Sequence, residues 1–321
     1  MTPPLSVVRA GELDPRPEGP RWLVRSVYTH PAVSISAGQP KSYKTWLALD
    51  VAVSVASATP CLGCFPVDLP GRALVYLAED SLSEVRERLE CLCNSRGLDL
   101  DRLDLHVITE PALRIDLLQD QERLRRAVEQ LEPRILVLDP LVRLHRLDEN
   151  SSQEISGLLG YLRELQRAHD VSILLVHHAS KRSRARQGQA LRGSSDLHAW
   201  VDVGLYLTWR GQRLELAVEL RAAASPDPLE VSLVQDDPRA VHLAVVSGAG
   251  SGAPPATLSL PQRALGLLRE QASRVFRRYE LREALGVNNA RLGEALDELE
   301  RRGFVRRTPG GWQAADGEEA T

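Results

Sequence analysis

Five short runs rich in Val, Ile, Leu and Ala lie between residues 32 and 178, and helical patterns separate them. They read "AVSISAG" (32–38), "RALVYLAED" (72–80), "DLHVIT" (104–109), "RILVLDP" (134–140) and "VSILLVHH" (171–178). A strand with one face in water alternates apolar and polar residues. A nearly continuous apolar run needs cover on both faces, the situation of a strand inside a parallel sheet with helices above and below. The intervening segments supply the helices. "TWLALDVAVSVASA" (45–58) spaces Leu47, Val51 and Val55 at helical intervals, and "SLSEVRERLECLCNSRG" (81–97) opens on serine and closes on glycine. "QDQERLRRAVEQL" and "SQEISGLLGYLRELQRAHD" complete the set. The expected fold class is α/β with a mainly parallel sheet.

Composition narrows the function. A net charge of −3 over 321 residues excludes a uniformly basic coat, so any nucleic-acid contact must come from local patches. No apolar run reaches the roughly 18 residues of a membrane span, and the opening "MTPPLSVVRAGELDPRPEGP" lacks the apolar core of a secretory signal. A cytoplasmic protein without membrane contact is expected. Four cysteines fall as Cys61/Cys64 and Cys91/Cys93. Zinc would need all four thiolates at one point, and helical spacing sends Cys91 and Cys93 to different faces, so reduced thiols are the expectation.

The stretch "SAGQPKSYKTW" (36–46) ends the first run. Gly38, four residues, a fifth position, then Lys44 and Thr45 give the spacing of a phosphate-binding loop, in which backbone N–H groups and a helix N-terminus meet phosphates. Lysine adds a point charge and the hydroxyl holds Mg²⁺. The candidate binding segment is Gly38, Gln39, Pro40, Lys41, Ser42, Tyr43, Lys44 and Thr45. Tyr43 departs from the pattern, because glycine belongs there to let the backbone approach the phosphates. On this segment alone, a strand-to-helix turn without nucleotide is the competing reading. Two acids at strand ends weigh against it. Asp139 closes "RILVLD", where a carboxylate suits Mg²⁺ beside Thr45, and Glu79 closes "ALVYLAE", where one suits activation of a water. Asp80, next in line, reads as a helix cap. The pair His177-His178 ends a further strand at the same sheet edge, with at most one of the two facing the nucleotide.

The segments "SAGQPKSYKT", "VYLAEDS", "LVLDPLVRLH", "LLVHHASK" and "LRGSSDL" resemble, in order and approximate spacing, those of RecA-like P-loop ATPases. They look most like the branch with the RepA-type hexameric plasmid helicases and related AAA domain proteins. The resemblance covers roughly residues 22–245. It implies ATP and Mg²⁺ as ligands, Lys44 and Thr45 as loop residues, Glu79 as the catalytic acid, Asp139 as the Mg²⁺-linked acid and His178 as the γ-phosphate sensor. It also implies a ring-forming homo-oligomer, with a hexamer favoured. The arginine that such helicases use across the subunit boundary is missing from "HAWVDVG"; Arg221, on a neighbouring strand pattern, is the available substitute.

Two further segments carry positive charge. "SKRSRARQGQALRGSS" holds Lys181, Arg182, Arg184, Arg186 and Arg192 without an acid between Val171 and Ser195, which suits contact with the backbone of single-stranded DNA. A solvated loop is the alternative. Beyond "SGAGSGAPPAT", three helical patterns and "FVRRTPGGWQA" resemble a winged-helix module, in which Arg306 and Arg307 would grip duplex phosphates. Acids at Glu294, Asp297, Glu298 and Glu300 disfavour deep entry of that helix into a groove, so a protein-binding role stays open. The expected organisation is a leader (1–20), a RecA-like core (21–247), a linker (248–258), a winged-helix-like domain (259–315) and a tail (316–321). The expected function is ATP binding and hydrolysis coupled to DNA, of helicase, replication or recombination type. The alternatives are a nucleotide-dependent DNA-binding regulator and a non-hydrolysing scaffold.

Overall fold

The computed structural model describes residues 7–13, 19–148, 151–178, 195–246, 260–270, 274–285, 289–308 and 310–315. The chain divides into two compact units, Met1–Ser251 and Gly252–Thr321.

The larger unit is α/β. After a two-stranded ribbon of β1 (Trp22–Val24) and β2 (Tyr28–Thr29), its strands are β3 (Val33–Gly38), β4 (Ala73–Leu77), β5 (Leu105–Val107), β6 (Ile135–Asp139), β7 (Ser172–His178), β8 (Val203–Arg210), β9 (Arg213–Leu220), β10 (Leu229–Asp237) and β11 (Ala240–Val245). These last nine form one sheet in the order β11-β10-β9-β8-β3-β7-β6-β4-β5. From β8 to β5 every pairing is parallel; from β8 outward to β11 every pairing is antiparallel. Chemistry follows burial here. Every residue of β3, β4 and β6 is buried, as continuous apolar runs require.

Side chains alternate between two cores. Ile135 and Val137 of β6 enter one, Leu136 and Leu138 the other. The first core also contains α1 (Lys44–Ser57) and α2 (Leu82–Asn94); the second contains α3 (Leu118–Leu131) and α4 (Ser152–His169). Helix α2 starts on a capping box: Ser81 accepts the Glu84 N–H, and Glu84 reaches back to the Ser81 N–H. Asp80 is therefore not the cap that its position suggests. Helix α1 is buried well beyond the stripe of Leu47, Val51 and Val55. Ten of its fourteen residues are buried, because the antiparallel strands curl round until β11 packs on α1 and α2. Cover on several sides leaves little room for a polar face, and the buried Asp50 is paired with Arg96 at 2.5 Å. Short helix α5 (Ser195–Trp200) leads into β8.

The smaller unit has α6 (Leu260–Glu270), α7 (Arg278–Leu285), α8 (Asn289–Arg301) and the antiparallel hairpin β12 (Val305–Thr308) and β13 (Gly311–Ala314). Phe276 adds a third partner to the hairpin by exchanging backbone hydrogen bonds with Trp312, each 2.8 Å. Gly311 is obligatory: at φ +146°, a Cβ would stand 2.0 Å from the Phe276 carbonyl oxygen. Leu268, Phe276, Leu281, Leu292, Leu296 and Trp312 are among its core residues. Among the described residues, no helix is long and apolar enough to cross a membrane.

Candidate functional site

Parallel strands put all their C-terminal ends along one edge, the usual place for a ligand in an open α/β sheet. Gly38 pairs in register with His178, and Leu77 with Asp139. The Ala78 N–H donates to the Asp139 carbonyl at 2.7 Å and ties the ends of β4 and β6 together. Loop 38–44, Glu79 and Asp139 thus share one rim. Lys41, Ser42, Tyr43, Lys44, Glu79 and Asp139 line a single cleft of about 190 Å³ that also includes Thr45, Trp46, Arg88 and Val176. That volume lies below the roughly 300–1,000 Å³ of pockets that engulf a drug-sized ligand. It suits a chain of phosphates with the rest of a nucleotide outside.

The loop starts where glycine is unavoidable. A Cβ on Gly38 would lie 2.5 Å from the backbone oxygen of Leu207, so any side chain would force β8 off β3. Lys41 (φ +63°) and Tyr43 (φ +61°) both adopt the left-handed region. Tyr43 is the N-cap of α1, with ψ 28°. It therefore takes the backbone shape that the usual glycine would take, at a cost of roughly 1–3 kcal/mol for a residue with a Cβ. Its ring leans on Trp209 of β8, with centroids 6.1 Å apart and planes at 67°.

Lys44 is 5 % exposed, and its ammonium donates to the Gln39 carbonyl at 2.8 Å. Burial pushes its pKa down, and Asp139 partly restores it. Asp139 is 7 % exposed. Burial raises its pKa to about 6; the Thr45 hydroxyl bond and Lys44 act against that, while Asp80 and Glu79 add to it. Its Oδ2 is buried with no hydrogen-bond partner, a costly state for a carboxylate oxygen unless a cation or water meets it. A carboxylate with an unmet oxygen and an adjacent hydroxyl are hard donors of the kind Mg²⁺ takes, with waters completing its shell. The residues present fit the ion.

Two ion pairs complete the rim. Glu79 is half-exposed and paired with Arg143 at 2.7 Å. Asp80 is paired with Arg88 at 2.6 Å, and burial raises its pKa against the pull of Arg88. Asp80 thus belongs to the electrostatics of the site, a role its place beside a helix start conceals. Arg88 follows it by two helical turns, which is the one signal the sequence offers. Arg143 stands directly after the Asp139 strand, within "LDPLVR". Trp209 sits far along the chain and has no motif.

Arg221 follows β9 at the opposite end of the strands, beside Asp202, and it contacts Asp202 at 3.3 Å and the Ala199 carbonyl. The structure does not bring it to the phosphate loop of its own chain. On β8 and β9, the arginines at the loop's end are Arg210 and Arg213, which flank the turn. The backbone of His178 is placed beside Gly38; its side chain lies outside the described ones, and His177 is buried. Lys181, Arg182, Arg184, Arg186 and Arg192 lie outside the described residues. Arg306 and Arg307 are exposed on β12, with Arg306 bonded to Gln313 and Arg307 stacked over Trp312. All four cysteines are free, and among the described residues no group of three or more His, Cys, Asp or Glu is placed to hold a metal.

Comparison with known families agrees with this geometry. A family model described as an AAA domain (AAA_25) matches residues 2–184, a span that contains the loop, Glu79, Asp139 and the His177-His178 strand end. With more than half of its length matched, this chain belongs to the AAA domain family, whose fold is that of P-loop ATPases.

Proposed function

We propose that this chain binds ATP with Mg²⁺ at the 38–45 loop, hydrolyses it and couples the reaction to DNA. The observation that carries the reading is the meeting of Lys44, Thr45, Asp139 and Glu79 in one cleft, with the Asp139 oxygen unmet. The loop backbone and the N-terminus of α1 meet the phosphates, and Lys44 neutralises charge on them. Thr45 and Asp139 hold the metal, whose positive charge stabilises the phosphate oxygens. Glu79 orients and deprotonates the attacking water once its bond to Arg143 opens.

A DNA role is supported by the basic run 181–192 and by the exposed Arg306 and Arg307. The smaller unit's order of helix, strand-like bridge at Phe276, two helices and hairpin supports a winged-helix reading. By analogy with the helicases its sequence resembles, the working form is a ring, a hexamer in the first instance, in which an arginine from one copy reaches the nucleotide of the next. Helicase action in replication or recombination is the finer form of the proposal.

One observation favours a second reading. The Glu79–Arg143 pair, together with the strained Tyr43, suits a slow switch that reports nucleotide state through the small unit without moving along DNA. ATP turnover measured with and without single-stranded DNA separates the two. Stimulation supports the motor. Unstimulated turnover with ATP-sensitive duplex binding supports the switch, and absence of ATP binding by the unaltered chain overturns both.

A further inference from the structure

The phosphate loop contains two non-glycine residues in the left-handed region, Lys41 and Tyr43, and one side chain touches both. The indole N–H of Trp209 donates to the Lys41 carbonyl across a long 3.4 Å. The same indole meets the Tyr43 ring edge-to-face at 6.1 Å, within the range where aromatic pairs attract. Strand β8 explains the placement. It runs parallel to β3 with Leu207 opposite Gly38, so Trp209 stands two residues beyond the start of the loop. Alternation keeps Trp209 on the face of Leu205 and Leu207, and Tyr43 and Trp46 pack against that same core. The chain has only 14 aromatic residues, three Phe, five Trp and six Tyr. Three of them gather at this loop.

We propose that Trp209 is a positioning residue that holds the strained loop in its phosphate-binding shape. Through Trp209, the β8–β9 hairpin sets nucleotide affinity. The inference rests on the reading of loop 38–45 as an ATP site. A loop with glycine at both left-handed positions keeps its shape without help. Here a tyrosine and a lysine occupy them, and without support the backbone relaxes to right-handed angles and turns its N–H groups away from the phosphates. The indole supplies that support through ring contact on one residue and a hydrogen bond on the other. A displacement of the hairpin tip, where Arg210 and Arg213 flank the turn, therefore lowers affinity without any contact to the nucleotide.

Calorimetric titration with a non-hydrolysable ATP analogue and Mg²⁺ tests this on five full-length chains: unaltered, Trp209→Leu, Trp209→Phe, Tyr43→Gly and the Tyr43→Gly/Trp209→Leu double variant. Thermal melting checks folding in each. Trp209→Leu is expected to weaken binding about tenfold, equivalent to about 1.4 kcal/mol. Trp209→Phe, which keeps a ring and loses the N–H, weakens it about threefold. In the Tyr43→Gly background the leucine change costs less than about threefold, because glycine needs no support; this non-additivity is the signature of coupling. Equal losses in both backgrounds, or no loss in either, overturn the proposal while leaving the ATP site standing. An unaltered chain that does not bind the analogue removes both. Should Trp209→Leu fail to melt cooperatively, Trp209→Phe and an added Tyr43→Gly/Trp209→Phe double variant decide by the same comparison.

Discussion

The two ends of the parallel strands treat polar groups in opposite ways. At the end without the loop, charges are spent on each other. Asp202 accepts from the Val33 N–H and pairs with Arg163 and Arg221. Asp170 pairs with Arg21, His30 and Arg134, and His30 also bonds Ser172 at 2.8 Å. At the loop end, Asp139 Oδ2 and Ser42 Oγ are buried without partners. Unmet polar groups cost stability, and they persist where a ligand supplies the missing partner. Substitutions at the loop end should change ligand binding and turnover while sparing stability. Substitutions at the other end should do the reverse.

The largest expected effect is on rate. Glu79→Gln should lower ATP turnover by about 100- to 1,000-fold in a steady-state assay while analogue binding survives, the usual weight of a positioned acid or base. Unchanged turnover would support a scaffold that does not hydrolyse. Next, Lys44→Ala should weaken ATP binding about 100-fold, near 2.7 kcal/mol, with no fall in melting temperature, because the charge removed is one that burial disfavours. A lower melting temperature with intact binding would reverse the assignment of the two ends. Asp202→Ala is the counterpart: it should cost about 2–3 kcal/mol in denaturant unfolding and leave the affinity of the folded chain unchanged.

The smallest effect is a pH slope with opposite signs at the two ends. Burial, opposed by Asp170 and aided by Arg21 and Arg134, lowers the His30 pKa to about 4. The unfolded chain then takes a proton that the folded chain refuses, so this contribution is lost as pH falls from the ordinary 6.5 toward 4. Asp139, raised to about 6, runs the other way. Its folded form binds the proton more tightly, so its buried-charge cost is relieved as pH falls below about 6. Between pH 7.5 and 5.5 each contribution is about 1 kcal/mol. Unfolding of His30→Gln should show stability rising over that window, and Asp139→Asn should show it falling more steeply than the unaltered chain. Parallel slopes in all three would place the titrating groups elsewhere.

Much of the core was legible because burial on both faces writes itself into sequence as unbroken apolar runs. "RILVLD" and "ALVYLAED" become the fully buried β6 and β4, and their terminal acids reach the rim together. Local patterns do not report what arrives from a distance. The spacing of Leu47, Val51 and Val55 suggests one buried face of α1, whereas the cover that buries the rest comes from β11. Trp209 carries no motif, since its importance lies only in the backbone angles of Lys41 and Tyr43. Asp80 has the composition of a cap, yet Ser81 with Glu84 forms a complete box and frees the aspartate to face Arg88. Antiparallel pairing of β9 with β8 places Arg221 away from its own chain's loop, so the phosphate contact expected of it is one with a neighbouring copy.

The encasement of α1 also limits how this domain can signal. A helix wedged among sheet, ribbon, α2 and curled strands behaves as a fixed post, since sliding it would open voids on several sides at once. On the ATPase reading proposed above, news of a bound or spent triphosphate would not travel as a stroke of that post. It must leave through the thin parts that meet at its foot: five loop residues, the acid-bearing strand tips and the hairpin beside them.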